Sequence, residues 1–340
     1  SREVMVVRDR VTQSRRNSSF EPTPPFSPLS ATPTPPPRSS RMKHSLKHHA
    51  EYALLLLFGT TVRLLPLRIA LLLGWLIALI GHHLVRFRRT EARRRIRHVL
   101  DKNLTPAQIN KIAWISWRNL CFNAVEAIRF KTLTRENLPF DNSVTPLIST
   151  LKKQLKESPS GAIAATIHMG NWDLAGIITD LHQIPIFSIA RRQKNPLTDA
   201  YLNRARNSFN MEILLNDNHI LKEIIRRLKQ RQLFALLPDV RSPRPARQIP
   251  FLNGTANLGA GAALFARQCD CPILPVITHR IGWSQHTFIQ LHPITPDPTA
   301  EKEDDQQRMM EELMAQFSTA IKANPEQYFW YNKRWVLDPL

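Results

Sequence analysis

Beyond residue 160 the chain alternates short apolar runs with amphipathic stretches, a pattern that few folds accommodate. AIAATI (162–167), IPIFSIA (184–190), LFALLP (233–238) and PILPVIT (272–278) read as strands. Between them, DAYLNRARNSF (199–209), ILKEIIRRLKQ (220–230) and GAGAALFARQ (259–268) carry apolar residues at helical spacing. Continuous apolar strands separated by helices imply parallel pairing with both sheet faces covered. The expected fold class is therefore α/β, with a largely parallel central sheet flanked by helices. A further helix is expected over 105–130, with Thr105 as its N-cap, and a last one from about Asp304 to Ala323. No internal repeat is present.

Ahead of this region lies the most apolar part of the chain. YALLLLF (52–58) and IALLLGWLIALI (69–80) are separated by Arg63, Pro66 and Arg68, so no uncharged run reaches the ~20 residues of a clean membrane span. Pro66 divides the segment into two helices, the second running from about Leu67 to Val85. That second helix reads as a hydrophobic membrane anchor with Arg68 at the interface, or as half of a buried hairpin. Seven arginines come next, between Arg86 and Arg97. Such a cluster beside an apolar helix attracts anionic lipid at about 1 kcal/mol per charge and belongs on the cytoplasmic side. A nucleic-acid surface would interleave stacking aromatics, and Phe87 alone is there, so a membrane is the expected partner and nucleic acid is not.

Three segments emerge from these shifts. Residues 1–41, rich in Pro, Ser and Thr, read as a disordered extension, with Met42 a natural beginning for the functional protein. Residues 42–98 read as membrane-anchoring helices with their basic flank, and 99–340 as the globular domain. The net charge of +20 fits an anionic partner. Cys121, Cys269 and Cys271 are odd in number and spaced for neither a disulfide framework nor a four-ligand zinc site, which points to reduced thiols. No motif calls for a metal or cofactor.

The segment IAATIHMGNWDLAG (163–176) carries the strongest chemical signal. Its strand ends at His168, and the pair Gly170-Asn171 turns the chain into a helix starting near Trp172. Ligands of open α/β sheets gather at the carboxyl ends of strands. Residues five apart on one helix lie ~140° apart and do not meet. A histidine in the strand-end turn and an aspartate in the next helical turn do meet. Asp173 in that position holds one imidazole nitrogen, leaving the other to take a proton from a hydroxyl. A core histidine beside a helix-capping aspartate gives the same spacing.

HMGNWDLAG resembles the H-x4-[DE] motif of the lipid A biosynthesis lauroyl/myristoyl acyltransferases, within the lysophospholipid acyltransferase superfamily. The likeness runs from Met42 to Trp335. It includes Arg191 with Asn195, the arginine pair of YLNRARNSF, the stretch LLPDVRSPRPARQIPFLNGTANLGAGAALFARQ with PILPV, and the ending NPEQYFWYNKRW. Arg241, Asn257 and Asn332 depart from the family's usual residues. The resemblance implies a glycerolipid-acyltransferase-like fold anchored at the cytoplasmic face of the inner membrane. It makes His168 the general base and Asp173 its partner. It gives Arg191, Asn195, Arg204, Arg206 and Asp239 to substrate binding. The implied donor is a thioester of acyl carrier protein or coenzyme A, and the implied acceptor a phosphorylated glycolipid such as a lipid A precursor. A phosphatidylinositol mannoside is the alternative acceptor. A non-catalytic membrane or nucleic-acid binding protein is the more distant reading.

Overall fold

The computed structural model describes residues 46–100, 103–141, 144–190, 195–198, 212–215 and 219–337. The Pro-rich segment 1–41, Met42, the expected helix over 199–209, and Arg191, Arg204 and Arg206 lie outside the described residues.

Four N-terminal helices, α1 (Leu46–Leu64), α2 (Leu67–Leu79), α3 (Arg89–Val99) and α4 (Pro106–Arg129), precede α5 (Val144–Glu157). The sheet region then runs β1 (Ala162–Ala165), α6 (Trp172–Leu181), β2 (Ile186–Ala190), β3 (Glu212–Leu215), α7 (Ile220–Lys229) and β4 (Leu233–Leu236). A hairpin, β5 (Arg247–Phe251) and β6 (Gly254–Leu258), leads to α8 (Gly261–Cys269), β7 (Ile273–Ile281), β8 (Gln285–Gln290) and α9 (Lys302–Ala323). The central sheet has the order β3-β2-β4-β1-β7-β8. Its first four pairings are parallel, and only the edge pair β7–β8 is antiparallel. The mixed α/β class and the largely parallel sheet agree with the sequence.

Alternation along β1 explains why the sheet needs two covers. Ile163, Ala165 and Ile167 point into a core shared with α8 and α9. Ala162 and Ala164 face a second core built with α5 and α6. A strand buried on both faces has no room for polar residues until it ends, which is why the first ones gather just past Ala165.

The expected start at Thr105 is realised as a reciprocal cap. Its side chain accepts from the Gln108 backbone N–H, and the Gln108 side chain accepts from the Thr105 N–H at 2.8 Å. Pro66 stands immediately before α2 with φ −52°, as a helix-starting proline does. The helix expected to Val85 continues beyond Leu79 as a wider π turn over Ile80–Leu84.

Helices α1 to α3 belong to the same compact unit as the rest of the described chain. One face of α2 (Ala70, Leu71, Gly74, Ala78) is buried. Gly74 permits the approach: a Cβ there would lie 2.9 Å from Val125 Cγ2 on α4. At one end Arg129 donates to the carbonyls of Val62 and Leu65, and at the other Trp117 Nε1 donates to Ala78 O at 3.1 Å. The opposite face of α2 leaves Ile69, Leu72, Leu76 and Ile77 exposed. The segment Leu67–Leu84 is long and apolar enough, by length and composition, to cross a membrane. The arginine cluster divides. Arg95 is buried and donates to Trp330 O and Asn332 O, both at 2.8 Å, with its guanidinium over the Trp335 ring. Arg86, Arg94 and Arg97 remain at the surface.

Gly74→Leu drives extra methyl groups into the α2–α4 contact. It should cost about 1–3 kcal/mol, read as a lower melting temperature in detergent, while Leu72→Ala on the exposed face should leave the melt nearly unchanged.

Candidate active site

Register brings the site together. Strands β1 and β4 are parallel neighbours, with Ala165 opposite Leu236. Three residues beyond each of these come His168 and Asp239, so two carboxyl-end residues that are 71 apart in sequence lie side by side. His168 Nδ1 sits 2.9 Å from Asp239 Oδ1, and the His168 backbone N–H donates to Oδ2 at 3.0 Å. Tyr328 Oη also donates to Oδ2, at 3.2 Å. The carboxylate side chain is 1% exposed and the imidazole 21%. With Nδ1–H donating to Asp239, the lone pair on Nε2 is left for a substrate proton.

The expected hydrogen-bonding partner of the ring was Asp173, and the structure puts Asp239 there instead. Asp173 lies in the first turn of α6 and acts on His168 through its charge. Five residues of turn and helix carry it past the ring, whereas the parallel pairing delivers Asp239 directly. Burial works against a charged imidazole, but the charge and hydrogen bond of Asp239, reinforced by Asp173, outweigh it. The His168 pKa therefore lies above the ordinary histidine value.

The turn bearing His168 is fastened at every residue. Gly170 has φ +60°, and a Cβ on it would come within 1.9 Å of Thr278 O, so only glycine fits. Thr278 Oγ1 donates to Met169 O at 3.1 Å, and Asn123 Nδ2 donates to Gly170 O at 2.7 Å. Asn171 makes no side-chain cap on α6; its amide donates instead to Glu126 Oε2 at 2.6 Å. Glu126 is clasped by Arg280, whose Nη1 and Nη2 reach the two carboxylate oxygens at 2.5 and 2.7 Å. His286 Nε2 stands 3.2 Å from Glu126 Oε1. Burial alone would raise the Glu126 pKa, but the Arg280 charge and hydrogen bonds bring it down to about 2. On the other side, residues 327–329 run antiparallel to the turn. Gly170 N–H donates to Gln327 O at 2.9 Å, and Phe329 N–H donates to His168 O at 2.8 Å. The ring of Trp172 meets the imidazole edge-on at 4.9 Å.

Asn195 is buried away from the base. Its amide donates to His48 O and Glu51 Oε2 on α1, and its oxygen accepts from Leu197 N–H at 3.1 Å. Those bonds fasten the 195–198 turn to α1. Sequence reasoning passed over Glu126, Asn171, Arg280 and Tyr328. One signal was available: Arg280 interrupts an apolar strand, and a buried charge demands a partner. Asn257, which departs from the family's usual residue, holds the loop after Asp239 by donating to Ser242 O and Arg244 O.

An apolar slot opens beside the pair. Trp172 and Asp173 stand at its lining along with Ala164, Thr166, Ala235 and Phe288, between the sheet and helices α5 and α6. His168 adjoins this slot through Trp172, whose ring lies 4.9 Å from the imidazole, and a base next to an apolar slot suits a hydroxyl attacking the carbonyl end of a fatty chain.

A family model for bacterial lipid A biosynthesis acyltransferases matches residues 40–336. The chain belongs to that family. A phosphatidylinositol mannoside acyltransferase of Mycolicibacterium smegmatis is 23% identical over 183 residues, which are 52% of this chain and 58% of that protein. The match thus spans little more than half of the relative's length. The crystal structure of a 1-acyl-sn-glycerophosphate (LPA) acyltransferase from Thermotoga maritima aligns with 76% of this chain and 99% of its own, at 15% identity and a TM-score of 0.34.

With a raised His168 pKa, the base is protonated and idle at low pH, and activity rises as pH climbs through an inflection above 6.5. Asp239→Asn should move that inflection to lower pH and reduce kcat by about 10²- to 10⁴-fold. Asp173→Asn should shift it less, because its effect is through-space. Profiles of kcat against pH for the three proteins decide this.

Glu126 is depressed in the folded state, so its stabilisation is complete above pH 4.5 and is lost as pH falls toward 2. Glu126→Gln strands the Arg280 charge and should cost about 3–5 kcal/mol near neutral pH. It should also flatten acid sensitivity within that window, read by urea melts across pH.

Proposed function

We propose that the protein transfers a fatty acyl group from a thioester to a hydroxyl of a membrane glycolipid. The observation that carries this reading is the His168–Asp239 pair, next to Trp172 of the apolar slot. In the reaction, His168 Nε2 takes the proton of the acceptor hydroxyl as its oxygen attacks the thioester carbonyl. Asp239 holds the imidazole and stabilises the imidazolium that forms. Asp173 adds a second negative charge nearby. The imidazolium then returns its proton to the departing sulfur, and an ester and a free thiol result without a covalent enzyme intermediate.

Family membership supports a lipid A precursor as the acceptor, a late step in lipopolysaccharide assembly. The mycobacterial relative supports a phosphatidylinositol mannoside as the second reading. Both are phosphorylated glycolipids, and Arg191, Arg204 and Arg206 are the residues we assign to their phosphates or to the donor. A net charge of +20 suits an acidic acyl carrier protein as donor, recruited by long-range attraction.

The exposed apolar face of α2 supports attachment to the inner membrane on its cytoplasmic side. Helix α2 lies along α4, and α4 is fixed in the core through Asn123 and Glu126. That arrangement favours a helix lying in one leaflet rather than crossing both, with Arg86, Arg94 and Arg97 near headgroup phosphates.

The direct test supplies purified protein with acyl carrier protein or coenzyme A thioesters and each acceptor, and weighs the products by mass spectrometry. Acyl gain on one glycolipid is expected. Hydrolysis alone, with neither acceptor acylated, overturns the reading. Filling the slot by Ala235→Leu should shift donor preference to shorter chains, raising the ratio of kcat/KM for a short over a long thioester by about tenfold, the worth of one or two buried methylenes.

A further inference from the structure

Of the hydroxyls lining the slot, two are spoken for. Thr179 Oγ1 donates to Gly176 O at 2.7 Å, and Ser188 Oγ donates to Ala235 O at 2.9 Å. Thr166 differs. The residue is 6% exposed, and its Oγ1 has no hydrogen-bond partner among the described residues. Buried hydroxyls are almost always satisfied, so an orphan in an otherwise apolar slot calls for a reason. Its backbone is firmly set, with Thr166 N–H donating to Leu236 O at 3.0 Å.

Position supplies the reason. Side chains alternate along the β1 extension: Ile163, Ala165, Ile167 and Met169 enter one core, while Ala162 and Ala164 enter the other. Thr166 and His168 have the parity of the second row; Thr166 lines the slot together with Trp172, whose ring meets the His168 imidazole at 4.9 Å. A thioester whose chain enters the slot beside Trp172 has both Thr166 and His168 in its neighbourhood.

We infer that Thr166 is a catalytic residue whose hydroxyl donates a hydrogen bond to the thioester carbonyl oxygen as it becomes an oxyanion. The inference rests on the acyl-transfer reading. As the acceptor oxygen bonds to the carbonyl carbon, the carbonyl π pair moves onto its oxygen and the acceptor proton moves to His168 Nε2. Thr166 Oγ–H donates to that oxygen. When the pair returns, the C–S bond breaks, the sulfur takes the proton from the imidazolium, and Thr166 is left as it began. Leaving the hydroxyl unpaired in the resting protein keeps it free for a group that carries charge only during reaction.

The test compares Thr166→Val and Thr166→Ser with the wild type in acyl transfer from a carrier-protein thioester. Valine matches threonine in shape and removes only the hydroxyl, so the fold is expected to survive with an equal or higher melting temperature. Losing one oxyanion donor should lower kcat by about 10²- to 10³-fold with little change in the donor KM. Serine should retain most of the rate, since it keeps the donor. Unchanged kcat in Thr166→Val, or a rise in KM alone, overturns the inference while leaving the functional reading intact. An inactive wild type would instead overturn that reading. Should valine prove unstable, Thr166→Ser is measured against Thr166→Ala, each per folded protein by circular dichroism: a faster serine variant upholds the role, and equal rates overturn it.

Discussion

The parallel pairing of β1 with β4 is the constraint on which the site depends. Backbone hydrogen bonds pair Ala162–Ala165 with Leu233–Leu236, and three residues further on the two stretches reach His168 and Asp239. A slip of one residue would turn every side chain of one strand to the opposite face and carry the acid away from the ring. The apolar residues preceding His168 and Asp239 therefore help to bring the pair together, because their burial on both faces fixes the register.

A second constraint lies underneath. Glu126, Arg280, Asn123, His286 and Asn171 form a buried polar cluster that links α4 and the β7–β8 edge to the turn after β1. Such clusters add little net stability against a well-packed apolar replacement. What this one supplies is placement. The turn lies beyond the ladder of the central sheet, and the cluster, with Thr278 and the short antiparallel bridge to residues 327–329, defines it.

Much of this was legible in the sequence. Continuous apolar runs announced the parallel sheet, the Thr105 cap was visible in TPAQ, and H-x4-D pointed to the strand end where base and acid meet. The identity of the acid on the ring was not legible by the same means. Local spacing favours Asp173, and only strand order, which a sequence does not print, sets Asp239 beside His168. With the order known, the equal lengths of AIAATIH and LFALLPD would have been enough. Arg95 is a similar case. Within a run of arginines it looks like any surface charge, yet helix α3 turns it inward to tether the segment around Trp330 and Asn332. The bonds of Asn195 were not legible because its partners sit on α1, far away in sequence.

The segment from Gln327 to Phe329, which bridges to the His168 turn through Tyr328, has a bearing on how the protein is born. A ribosome releases α1 and α2 early, and the residues that close over the His168 turn come long after them. Until Tyr328 arrives, Asp239 lacks one of its donors, and the carbonyl of His168 has nothing to accept from. Helices α1 and α2 are thus made long before the His168 turn can be closed, and the arrangement around His168 and Asp239 is completed by one of the last parts of the described chain to emerge.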